Sequence, residues 1–196
     1  MLTILGFPWL ETLSAVALAG SLLIYVLLDG TDLGAGILTG FQRSPQARQD
    51  INLSLLPVWD GNETWLVLAA GGLLGLFPLA YAIVLSALYI PLFVMMLALV
   101  VRGMAIEFRP HAPRLFDAML VSGSLLTALA QGVVVGALMQ GIATDGQQFT
   151  GSAFAWLRPF PLYCGVALAL GYAWLGAGWL VWRMTGELRA WARRVL

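Results

Sequence analysis

Residues 65–101 carry not one charged side chain, and a run of that length decides the solvent before it decides anything else. A bilayer core takes about 20 mostly apolar residues to cross as a helix, so this stretch, punctuated by Pro78, supplies the greater part of two crossings. Inside hydrocarbon each backbone N–H and C=O must find its partner within the protein, which makes the α-helix the expected element. Runs of the same kind place five spans, at residues 10–28, 55–77, 79–101, 115–140 and 161–182. With 60% hydrophobic and only 10% charged residues, the chain is an all-α polytopic membrane protein of about five transmembrane helices rather than a soluble domain.

All ten basic residues are arginines. With the N-terminus outside, the segments after spans one, three and five fall on one side and hold every arginine except Arg158. The positive-inside rule then puts the N-terminus outside and the C-terminus in the cytoplasm. The triplet Ala17-Leu18-Ala19 resembles a leader cleavage site, but no basic residue precedes the apolar run and Glu11 opens it, so cleavage is not expected. Net charge is zero and the arginines are scattered through loops, which gives a nucleic-acid surface no support.

Glycine pairs at four-residue spacing, Gly30 and Gly34, Gly36 and Gly40, Gly71 and Gly75, Gly132 and Gly136, let helix backbones approach closely in lipid and point to a tight bundle. Cys164 reads as a small packing residue, Met95, Met96, Met119 and Met139 as core filler, and His111 in "RPHAPR" as a surface residue. A chain that ligates haem or a transition metal by itself usually places His, Cys or Met within its bundle, so no metal ligand is expected here. No phosphate loop, paired-cysteine site or nucleophile elbow is present.

The chemistry-bearing residues are acids. Taking residue 10 as the outer edge of span one, Asp29 lies about 28 Å down and Asp32 one turn further on the same side. Asp60 and Glu63, in "PVWDGNETW" (57–65), fall in the inner third of span two on one face, with Asn62 and Thr64 beside them as candidate hydrogen-bond partners. Neither helix offers a lysine or an arginine to neutralise these carboxylates. Ionisable groups in a membrane are costly and usually functional, and carboxyls gathered at the cytoplasmic end suit a proton-uptake path. The competing structural reading makes Asp29-Gly30 a solvated helix end and Asp60-Gly61-Asn62 an interfacial turn flanked by Trp59 and Trp65 as belt residues. A transporter or channel is the other rival, although such proteins usually carry their site at the midplane.

"YVLLDGTDLGAGIL" (25–38), "LLPVWDGNETWLVLAAGGLLGLFPLAYA" (55–82) and "IPLFVMMLALVVRGMAIEFR" (90–109) closely resemble subunit II of the bacterial cytochrome bd-type quinol oxidases. "AQGVVVGALMQG" (130–141), "WLRPFPLYCGVALALGYAWLGAGWL" (156–180) and "TGELR" (185–189) look most like the cyanide-insensitive branch of that family. The resemblance implies a heterodimer in the bacterial cytoplasmic (inner) membrane that oxidises quinol and reduces dioxygen to water. It places haem b and haem d on the partner, subunit I, with none on this chain, which is then an inactive subunit when alone. It also implies a proton route from the cytoplasm between the subunits, lined by the aspartate matching Asp60, with Asp29, Asp32 and Glu63 as weaker carry-overs.

Members of that family usually have about eight spans in two four-helix bundles. Residues 1–141 then match the first bundle, 142–160 an outer loop, and 161–196 a fifth helix with a cytoplasmic tail. That fifth span is expected to stand without partners, exposing Gly165, Gly171, Gly176 and Gly178. The expectation is a piece of a longer subunit, or helices supplied by another chain.

Overall fold

A computed structural model describes residues 8–196, which fold into α1 (Pro8–Thr39), α2 (Pro45–Leu55), α3 (Trp59–Leu76), α4 (Pro78–Phe108), α5 (Pro113–Gln140), α6 (Pro159–Arg183) and α7 (Gly186–Val195). The residues ahead of Pro8, whose lack of a basic group argued against a leader, lie outside the described part. Five of the seven helices open on a proline. Proline fits the first turn because its missing N–H has no intrahelical partner there and its φ is already helical. Among the described residues the one β-bridge, Thr144 with Phe149, lies in the loop between α5 and α6.

Among the described residues four helices, α1, α4, α5 and α6, are long and apolar enough to cross a membrane; the expectation was about five. The difference falls on residues 55–77, where the chain breaks between α2 and α3. The 18 residues of α3 begin with the polar turn around Asp60, Asn62 and Glu63. Span one also runs further than its apolar stretch, to Thr39, so Asp29 lies inside a helix and is no solvated helix end. Span three continues through Arg102 to Phe108. Within α4, Pro91 has no N–H for the carbonyl four residues back, and the helix kinks at Leu88 (φ −124°, ψ 20°).

Glycines set the packing. A Cβ on Gly34 of α1 would stand 1.7 Å from the Tyr172 carbonyl oxygen and 2.8 Å from the Gly176 nitrogen of α6, and one on Gly132 would stand 2.4 Å from the Cys164 carbonyl oxygen. These contacts bring α6 against both α1 and α5. The fifth span is therefore packed into the bundle: Gly165 and Gly176 are taken up in contacts, while Gly171 and Gly178 face open space, as do Gly71 and Gly75 of α3. Of the four methionines expected as core filler, Met95 is buried and Met119 half-buried, whereas Met96 and Met139 are exposed on the bundle's outer surface.

The pairings Asp32 with Asn62 and Leu18 with Gly72 run α3 antiparallel to α1. Gly36 and Gly40 against Ser124 and Val121 do the same for α5, and Gly30 and Gly34 against Tyr172 and Gly176 run α6 parallel to α1. The first helix thus sits among α3, α5 and α6, and its interior side carries the acids.

Candidate functional site

Arg102 lies in α4 with no exposed surface. Two local features close the bundle over it. Gly123 of α5 sits on α4, where a Cβ would stand 2.8 Å from the Ala98 carbonyl oxygen and 3.0 Å from the Arg102 nitrogen. On another side, the Trp59 ring lies over Gly103, and its Nε1 donates to Glu107 Oε1 at 3.2 Å. Trp59 thus packs on α4.

Three carboxylates converge on the guanidinium. Nη1 donates to Glu63 Oε1 at 2.6 Å, and Nη2 lies 2.7 Å from Asp29 Oδ1 and 3.8 Å from Asp32 Oδ2. The Nη2 contacts are ion pairs by distance without hydrogen-bond alignment, so Arg102 Nε and Nη2, both Asp29 oxygens and Asp32 Oδ1 are buried without a well-aligned partner. Asn62 Nδ2 donates to Asp32 Oδ2 at 2.7 Å. Asp29 and Asp32 are fully buried, whereas the Glu63 side chain is 21% exposed. Glu63 is the edge of the cluster.

Neither α1 nor α3 carries a basic side chain, as expected, but the placement of Arg102 in a loop is corrected: it lies within α4 and is the common counter-ion of the acids. Asp60 stays outside the cluster. It occupies the first turn of α3, one turn from Glu63, and is exposed. Thr64, also exposed, donates to the Asp60 backbone carbonyl rather than to a carboxylate.

Three further buried polar residues, Tyr25, Gln131 and Tyr172, were not singled out from the sequence. They hydrogen-bond to one another across α1, α5 and α6. The available signal was spacing, since Tyr25 stands four residues before Asp29 on the same helical face.

The donor set does not fit a haem. The single histidine, His111, is exposed in a short 3-10 turn at Arg109–His111. Among the described residues no three His, Cys, Asp or Glu side chains are grouped to hold a metal ion.

Long apolar helices packed on glycine around a buried arginine and its carboxylates define a multi-pass helical membrane protein with charge enclosed in its bundle. The chain belongs to the cytochrome bd terminal oxidase subunit II family, whose sequence profile matches residues 10–196. It is 33% identical over 182 residues to the probable cytochrome oxidase subunit 2 of Haemophilus influenzae, covering 87% of this chain and 48% of that protein. The cytochrome bd-I ubiquinol oxidase subunit 2 of Escherichia coli gives 33% over 183 residues, with 87% and 48% covered. For the cytochrome bd ubiquinol oxidase subunit 2 of Bacillus subtilis the figures are 30% over 178 residues, 87% and 53%. The chain spans about half the length of these curated relatives.

Proposed function

We propose that this chain works as subunit II of a bd-type quinol oxidase in the bacterial cytoplasmic membrane, beside a subunit I that holds haem b and haem d. Its N-terminus faces outside and its C-terminus the cytoplasm. The complex passes electrons from quinol to dioxygen; those haems supply the redox chemistry, and this chain's own residues bind, orient and carry protons. The resemblance of residues 130–141, 156–180 and 185–189 to the cyanide-insensitive branch is the basis for placing it there.

The observation that carries the proposal is the imbalance at Arg102. One guanidinium faces three carboxylates, so the site is two charges short of neutrality with all three ionised. Uncompensated charge in a bundle interior is expensive, and the mobile positive charge available from the cytoplasm is the proton. Asp60, exposed one helical turn from Glu63, is placed to receive protons at the chain's surface. Glu63 passes them inward through ordered water to the end of the cluster where Asp29 and Asp32 lie. Asn62 orients Asp32 through its amide.

A purely structural role has its own supporting observation, the complete enclosure of Arg102 and Asp29. The two readings separate at Asp60, which lies outside the cluster. In a complete complex purified through a tag on this subunit, Asp60→Asn is expected to retain the haem absorption bands and to lose oxygen consumption by about a hundredfold, the scale of a removed proton-transfer group. Full turnover in that variant sinks the relay and leaves the structural role.

A further inference from the structure

The buried Tyr25, Gln131 and Tyr172 take no part in proton uptake as described above, and their hydrogen bonds have a direction. Tyr172 of α6 donates its hydroxyl to Gln131 Oε1 of α5 at 2.8 Å, and Gln131 Nε2 donates to the Tyr25 hydroxyl oxygen of α1. All three are at most 7% exposed. The packing is built around them: a Cβ on Gly30 would stand 2.5 Å from Tyr172 Cε1, so glycine there lets the ring pack directly against α1.

The remaining hydrogen is the informative one. Because Gln131 donates to the Tyr25 oxygen, that oxygen is an acceptor and its own O–H is left to point onward. Asp29 stands one turn along α1 on the same helical face, and both of its oxygens are buried with no well-aligned donor of their own. A glutamine in the middle does not suit proton transfer, since relaying through an amide requires it to tautomerise. Holding an acceptor in place asks nothing of the kind.

We propose that Tyr172, Gln131 and Tyr25 are positioning residues, a one-way chain of donors that ends on Asp29 and fixes its carboxylate toward Arg102, leaving Asp32 and Glu63 as the acids that exchange protons. This assignment rests on the proton-uptake reading and divides the labour within it. The charged and titratable groups around Asp29 are Tyr25 and Asp32 on its own helix, Glu63 of α3, Arg102 of α4 and Tyr172 of α6; α5 contributes the neutral Gln131.

The test uses the complete oxidase with Tyr25→Phe and Tyr172→Phe, each read by haem content, by the pH profile of oxygen consumption, and by the infrared carboxylate bands that vanish in Asp29→Asn. Expected for Tyr25→Phe are preserved haem content, a displaced Asp29 band, and a pH profile displaced by about one unit, because an Asp29 that leaves Arg102 frees that charge to act on Asp32 and Glu63. Tyr172→Phe, two bonds further away, displaces both in the same sense by less, and carries the test if Tyr25→Phe does not assemble. Unmoved profile and bands in variants of normal haem content overturn the proposal. Asp60→Asn separates the two layers. If it abolishes turnover while the tyrosine variants leave profile and bands unmoved, the positioning chain falls and proton uptake stands. If it keeps full turnover, proton uptake falls, and the division of labour that rests on it falls too.

Discussion

Arg102 and Arg109 stand seven residues apart, both buried and both paired with acid, yet they do opposite things with charge. Arg109 meets a single carboxylate in a two-pronged grip, Nε to Asp117 Oδ1 at 2.6 Å and Nη2 to Oδ2 at 3.3 Å. Arg48 of α2 adds a second cation 3.6 Å from the same Asp117 and anchors itself through Nε to the Gln42 carbonyl at 2.7 Å. Two cations around one acid, at an edge where Arg48 is 32% exposed, tie α2 and the end of α4 to the start of α5. One cation among three acids, with no exposed surface, leaves buried polar atoms unaligned. The first arrangement is a clasp; the second stores an imbalance, the feature on which the proposed proton uptake rests.

Removing one partner from each place tests that contrast most severely at Arg102. Arg102→Leu strands three carboxylates in the bundle, and breaking a buried ion pair from one side costs roughly 3–5 kcal/mol. The expected outcome is loss of the folded subunit, read as thermal unfolding in detergent and as recovery of the assembled complex. Arg102→Lys keeps the charge but not the planar fork and should fall between. A Leu variant as stable as the parent would mean that the acids carry their own compensation, and the contrast would fail.

A smaller effect is expected for Asp117→Asn. It leaves two arginines without their acceptor, but Arg48 already reaches solvent, so about 1–3 kcal/mol is the scale of the lost charged hydrogen bonds. The same thermal measurement ranks the two variants. If Asp117→Asn proves the more damaging, the clasp rather than the enclosed cluster holds the bundle together.

Much of this was legible in the residues, and what was not has a physical cause. Apolar run length located the crossings, and counting rise per residue brought Asp29, Asp32 and Glu63 to one end. The same counting put Arg102 in a loop, because the apolar run was cut at Val101. The turn that follows, Gly103 to Ile106, is itself apolar and continues the helix. Whether an arginine just past such a cut faces water or the bundle depends on Gly123 and Trp59, which come from other helices, and no local pattern reports that. Gln131 and Tyr172 were silent for the same reason, since each is ordinary within its own helix, and Tyr25 offered only its four-residue spacing from Asp29. The glycine pairs foretold close packing, but not that Gly71 and Gly75 would face outward while Gly34 and Gly132 seat α6.

The mildest version of the contrast is a carboxylate with neither cation nor burial. Asp145, in the exposed loop after α5, accepts hydrogen bonds from the backbone N–H groups of Gln147 at 2.9 Å and Gln148 at 2.8 Å. Gly146, at φ +92°, supplies the left-handed step that turns those N–H groups inward. The Gln147 bond, then the Gln148 bond, holds the carboxyl below its ordinary range. A lowered folded pKa stabilises the turn above the unfolded value of about 3.9, and that contribution fades as pH falls through the folded value. The protection factors of the Gln147 and Gln148 amides, taken relative to intrinsic exchange at each pH, should therefore fall in acid and in Asp145→Ala at neutral pH, with thermal unfolding of the bundle unchanged. Equal protection of both amides in the variant would show that Gly146 and the Thr144–Phe149 bridge hold the loop without the carboxylate.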